Sequence, residues 1–128
     1  MAKILIVEDN HDLLEFFCLL MEKHGFEVKG ASSRIEIDSH LLLFKPDLIM
    51  MDVMLHGEDG RDICKEIKSN HKHLPIILLS GNPQVLSNFS EYHADDVIEK
   101  PFTIGTVINK VKEIIAQNSH KKLEENIK

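Results

Sequence analysis

Two rhythms of apolar and polar residues alternate along the chain. Lys3–Glu8 (KILIVE) is a short continuous apolar run with β-branched residues and reads as a buried strand. From His11, the residues Leu13, Phe16, Phe17, Leu20 and Met21 recur at helical spacing, with Gly25 placed as a stop. Phe26–Ala31 is a second, shorter strand. Residues 33–44 follow as a helix whose period is blurred by Ile35 and Ile37. The stretch DLIMMD, ending at Asp52, supplies a third strand. Arg61–Ser69 puts Ile63, Cys64 and Ile67 on one helical face. Pro75–Ser80 (PIILLS) is a fourth strand, and Asp95–Lys100 (DDVIEK) contains a fifth. Between them, Asn82 and Pro83 make a sound N-cap and first position for a helix that is poor in helix formers. Ile104, Val107, Ile108, Val111 and Ile114 form the clearest amphipathic pattern of all.

Five strands, each followed by a helix, define a single α/β domain. Continuous apolar strands predict a doubly wound (βα)5 parallel sheet covered on both faces. A length of 128 residues suits one core, and 43% hydrophobic content builds it without staples. The net charge of −6 argues against nonspecific nucleic-acid binding. No apolar run reaches bilayer-spanning length, and Met1-Ala2-Lys3 leads directly into a strand rather than a signal peptide. Cys18 and Cys64 fall in helical segments and read as reduced thiols of a cytoplasmic protein. His71 and His73 lie two apart without a recognisable zinc spacing.

In an open parallel sheet, ligands bind beyond the carboxyl ends of the strands. Those ends carry Glu8 and Asp9, Asp52, Ser80, and Lys100 followed by Pro101. Each has an ordinary explanation alone. Asp9 or Asn10 caps a helix, Ser80 starts a turn, and Lys100 joins a surface ion pair. Together they differ, because crowded carboxylates repel and call for a cation. Oxygen ligands select a hard ion such as Mg²⁺. A carboxylate beside such an ion and a lysine can act as a nucleophile toward a phosphoryl group.

The segments ILIVEDN, DLIMMDVMLHGEDG, PIILLSG and DDVIEKPF, in this order and spacing, resemble the response-regulator receiver domain of two-component phosphorelays. The resemblance covers about residues 3–117, leaving 118–128 as a charged tail or an extension of the last helix. It implies a CheY-like fold with Asp52 as phosphoacceptor. It further implies a Mg²⁺ site made by Glu8, Asp9, Asp52 and the main-chain carbonyl of Met54. Ser80 would bond the phosphoryl oxygen, and Lys100 would pair first with the aspartate and then with the phosphoryl group. A cis Lys100–Pro101 bond is implied as well. The expected donor is a sensor histidine kinase or a histidine phosphotransfer protein. A downstream protein would dock on the face of the fourth helix, fifth strand and fifth helix, with no nucleic acid or membrane involved.

Several positions depart from the family pattern. His56 stands where proline is usual, four residues after Asp52. Val97 stands where an aromatic switch residue is usual, with Tyr92 too early to replace it. His93 replaces a glycine, and the interval from Ser80 to Lys100 is short, at the expense of the fourth helix. A mobile fourth helix is therefore expected, against a short rigid one. A free-standing receiver is expected, although the same sequence fits a piece of a larger protein. Among rivals, a haloacid-dehalogenase-type phosphatase needs a second aspartate where Met54 stands. A flavin carrier needs a phosphate loop where the acidic EDNHD lies. A receiver-like interaction module that works without phosphorylation remains the alternative.

Overall fold

The computed structural model describes residues 1–127. Five parallel strands form one sheet: β1 (Lys3–Val7), β2 (Glu27–Ala31), β3 (Leu48–Asp52), β4 (Ile76–Ser80) and β5 (Asp96–Glu99), in the order β2-β1-β3-β4-β5. The helices are α1 (His11–Lys23), α2 (Arg34–Leu43), α3 (Gly60–Asn70), α4 (Pro83–Leu86) and α5 (Ile104–Ile127). This is the doubly wound α/β arrangement the strand pattern predicts.

Strand periodicity splits the core into two layers. Ile4, Ile6, Leu48, Met50, Ile77, Leu79 and Ile98 pack with Phe17 and Met21 of α1 and with Val107, Val111 and Ile114 of α5. The alternate residues Leu5, Val7, Ile49, Met51, Ile76 and Leu78 pack with Ile37 of α2 and with Ile63, Cys64 and Ile67 of α3. All positions of β3 and β4 are buried. Continuous apolar strands are the consequence of helices on both faces. Ile35 is 82% exposed, which explains why it breaks the period of α2.

Helix ends follow local chemistry. Asn10 caps α1, its side chain accepting from the Leu13 N–H, and the chain after α1 turns through Gly25 at φ +94°. Ser33 caps α2 and Asp59 caps α3. The last helix runs on through the charged tail to Ile127.

Two local features differ from the sequence expectation. A two-stranded antiparallel hairpin, Met54–Leu55 with Glu58–Asp59, separates β3 from α3. Gly57, at φ +73°, turns it. The expected fourth helix is cut to the single turn of α4, followed by a 3-10 turn at Phe89–Tyr92. Asn82 does cap α4, with Pro83 at its start. The poor helix formers Ser87 and Asn88 then interrupt it, and His93 closes the segment in the left-handed region at φ +64°. That conformation accounts for the glycine usually found there.

Candidate functional site

The parallel register brings the strand ends to one edge. Val7 pairs with Met51, Asp52 with Leu79, and Ser80 with Glu99. The chain leaving each strand therefore emerges on the same side, carrying Glu8 and Asp9, Asp52, Ser80 and Lys100. Glu8, Asp52 and Ser80 are buried polar residues in an otherwise apolar interior.

Asp52 is held on both oxygens. Its Oδ1 accepts from the Met54 N–H at 2.9 Å, and the Lys100 ammonium donates to its Oδ2. Lys100 Nζ also lies 3.9 Å from Glu8 Oε1. The Lys100–Pro101 peptide is cis. Gly60 packs so tightly beside β3 that an added Cβ would lie 2.2 Å from the Asp52 carbonyl oxygen. Its N–H donates to the Val53 carbonyl at 2.7 Å. The loop leaving the aspartate is thus fixed by backbone as well as side chain.

The acidic pair is arranged unequally. Glu8 Oε2 accepts from the Asp9 and Asn10 N–H groups at 2.9 and 3.4 Å. Burial, followed by the nearby Asp52 charge, pushes the Glu8 carboxyl up to about 7. Asp9 is more open and faces His56, whose Nδ1 lies 3.1 Å from Asp9 Oδ2. Burial works to raise Asp9, but hydrogen bonds involving Glu8 and His56 outweigh it and hold the carboxyl below its ordinary value. Among the described residues, no three His, Cys, Asp or Glu side chains are already drawn together as metal ligands. The donor chemistry nevertheless fits a hard cation. The carboxylates of Glu8 and Asp52 share Lys100 as a common ammonium neighbour, so two acids there face one ammonium.

Ser80 Oγ accepts from the Asn82 N–H at 3.1 Å, which ties the end of β4 to the cap of α4. Sequence reasoning missed two partners nearby. His56 was visible only as a missing proline, not as a neighbour of Asp9. Arg61 carried no signal at all. It donates to Asp59 Oδ2 at 2.7 Å, reaches the Val85 carbonyl and Asn88 Oδ1 at 3.4 Å each, and lies 5.0 Å from the centre of the Tyr92 ring.

The site itself is shallow, over a cleft of about 10 Å³ lined by Glu8, Phe17, Asp52 and Lys100. A roomier depression, about 800 Å³, lies at the other end of the sheet beside Pro46 and Pro75. A small site open at a sheet edge suits chemistry on a group presented from outside, not the enclosure of a metabolite.

Fold and strand-end constellation together define a receiver, and the chain belongs to the response-regulator receiver family. The family model described as "Response regulator receiver domain" matches residues 4–112. Among its relatives, the alkaline phosphatase synthesis transcriptional regulatory protein PhoP of Bacillus subtilis is 33% identical over 118 residues, covering 91% of this chain and 49% of PhoP. A putative response regulator from Chloroflexus aurantiacus superposes with a TM-score of 0.82 at 32% identity, covering 90% of this chain and 98% of that one. NtrX from Brucella abortus superposes with a TM-score of 0.90 at 26% identity, covering 98% of this chain and 30% of NtrX. The chain therefore spans about half the length of PhoP and about a third of NtrX. No helix among the described residues is long and apolar enough to cross a membrane.

Proposed function

We propose that this receiver accepts a phosphoryl group on Asp52 and uses it to switch the binding of a downstream protein. The observation that carries the reading is the buried Asp52 carboxylate, fixed by the Met54 N–H and the Lys100 ammonium beside a second buried acid. A purely structural aspartate does not call for an acidic pair and a lysine at neighbouring strand ends. The proposed unit is residues 3–117.

Asp52 attacks the phosphorus of a phosphohistidine or a small acyl phosphate in line, and the donor departs with the bonding pair. Lys100 moves from the free carboxylate to the phosphoryl oxygens and offsets their charge. Ser80 supplies a hydroxyl to the same oxygens. Asp9, Asp52 and the Met54 carbonyl would hold Mg²⁺, with Glu8 completing the acidic pair. When bound, the ion supplies positive charge against the oxygens of the transferring group. The chain is in this reading a cytoplasmic signalling phosphoacceptor, not a turnover enzyme, and its donor is a histidine kinase or phosphotransfer protein. Output runs through α4, β5 and α5.

Incubation with acetyl phosphate and Mg²⁺, read by intact mass, tests the proposal. One phosphoryl adduct on the wild type and none on Asp52→Ala is expected. An equal adduct on both proteins would move the acceptor elsewhere. No adduct on either would favour the phosphorylation-independent module.

A further inference from the structure

The inference concerns His56 and rests on the phosphoacceptor reading of the site. We propose that His56 joins Asp9 as a nitrogen ligand to the divalent cation, so that this receiver takes borderline transition ions such as Co²⁺ in preference to the hard ions Mg²⁺ and Mn²⁺.

The placement begins in the sequence. His56 and Gly57 form the two-residue loop of the hairpin that follows Asp52. Gly57 at φ +73° reverses the chain, and the Met54 N–H ties the hairpin to the Asp52 carboxylate. The imidazole stands beside the residue that follows the end of β1, its Nδ1 3.1 Å from Asp9 Oδ2. In a six-coordinate shell with bonds of about 2.1 Å, donors at right angles stand roughly 3 Å apart. The Asp9–His56 spacing already matches one edge of such a shell.

The exposure of the pair points the same way. The His56 side chain is fully exposed and that of Asp9 is 23% exposed, so water screens the pair and it adds little to stability. An exposed imidazole edge beside a carboxylate is, by contrast, accessible to a dissolved ion. A proline at this position offers no donor at all. Replacing it by histidine changes the donor set from all-oxygen to mixed nitrogen and oxygen. Mg²⁺ gains little from imidazole and keeps its waters, whereas the later first-row ions favour it increasingly across the row.

Calorimetric titration of the whole chain with MgCl2, MnCl2 and CoCl2 tests this, at one pH above the ordinary histidine range. The variants are His56→Ala, His56→Gln and Asp9→Ala. Loss of a ligand should weaken Co²⁺ binding by about 10- to 100-fold in both His56 variants, by analogy with losses at metal sites. Mg²⁺ binding should change less than about threefold, because its affinity never included the imidazole. In the Co²⁺-loaded wild type, paramagnetically shifted imidazole protons should be present and should vanish in His56→Gln. An unchanged ratio of Co²⁺ to Mg²⁺ affinity overturns the inference, as does tighter binding of both ions in His56→Ala, which would make the imidazole a competitor. In both of those cases Mg²⁺ binding that is lost in Asp9→Ala leaves the phosphoacceptor reading standing. No binding of any ion to the wild type would overturn both.

Discussion

Arg61→Ala should loosen the segment from Asn82 to Ala94 without disturbing the contacts of Asp52. Arg61 joins three things: Asp59 at the head of α3, the Val85 carbonyl and Asn88 after α4, and the Tyr92 ring of the 3-10 turn. The ion pair is partly solvated, with side-chain exposures of 20% and 32%, so its share is about 0.5–1 kcal/mol. The two 3.4 Å contacts are long and contribute roughly 0.5 kcal/mol together. The guanidinium over Tyr92 adds about 0.5–1 kcal/mol. A total near 2 kcal/mol corresponds to a fall in Tm of about 6–10 °C for a domain of this size. Urea denaturation and thermal scans measure that. Hydrogen exchange locates it, because loss confined to one segment raises exchange in residues 82–94 by about 30-fold while leaving β3 and β4 protected. Arg61→Lys keeps the charge but not the planar fork, and should recover less than half of the loss. A Tm within about 2 °C of wild type, with unchanged exchange in residues 82–94, would refute the reasoning and reduce the contacts to surface decoration.

Three further outcomes follow from the same geometry. Gly60→Ala places a Cβ 2.2 Å from the Asp52 carbonyl, a backbone atom that cannot step aside, so denaturation should show a loss of about 1–3 kcal/mol or more and acetyl phosphate labelling should fall. Asp59 is held below its ordinary carboxyl value by the Arg61 hydrogen bond, so its stabilising share is present above the unfolded pKa near 3.9 and is lost as pH falls through the lower folded value. The stability difference between wild type and Asp59→Asn should accordingly be constant at neutral pH and shrink below about pH 4; a difference that grew in acid would contradict the pairing. Exchange in residues 82–94 should be faster than in α5 and should change on adding beryllofluoride and Mg²⁺; protection equal to that of α5 and indifferent to the mimic would mean that α4 is short but rigid.

The fold was legible because strand and helix periods differ so clearly here. KILIV, LIMMD and IILLS are apolar on both faces, and a strand buried on both faces needs helices above and below. The strand-end residues were legible for a related reason, since a carboxylate or hydroxyl at the end of such a run has no place in the core. Other features depended on distant neighbours. Nothing local to Arg61 announces Val85, Asn88 or Tyr92, which are 24–31 positions away along the chain. The fourth helix was over-extended because its start signals are correct while its apolar residues are too few to sustain a period: Leu86 is buried, but Val85 and Phe89 are only half-buried. The hairpin at Met54–Asp59 is shorter than any periodic signal, and only Gly57 marks it. His56 shows the limit most clearly. Its identity as a departure was plain, but its meaning required knowing that the end of β1 stands beside it.

The segment between Asn82 and Ala94 is gripped from both sides by groups close to Asp52 in the chain or at the neighbouring strand end. At one end, Ser80 Oγ accepts from the Asn82 N–H, so the hydroxyl is part of the cap of α4. At the other, Arg61 in the first turn of α3, itself paired with the capping Asp59, holds Val85, Asn88 and Tyr92. On the proposed function, a phosphoryl group would draw Ser80 toward its oxygens. The cap bond uses an Oγ lone pair and the phosphoryl bond would use the Oγ–H, so they conflict only where Ser80 must rotate; there a charge-assisted bond roughly twice as strong as the cap bond of about 1 kcal/mol should win. The cap should loosen while the Arg61 grip stays, because the Arg61 hydrogen bonds go to Asp59, Val85 and Asn88 and not to Asp52, Ser80 or Lys100. What changes is therefore the beginning of the segment and not its end. Val97 has no ring to turn, and its neighbour in β4 is Leu78, which is fully buried. A partner of this receiver would read a half-released segment pivoting on Arg61, and the two grips together make that change local rather than global.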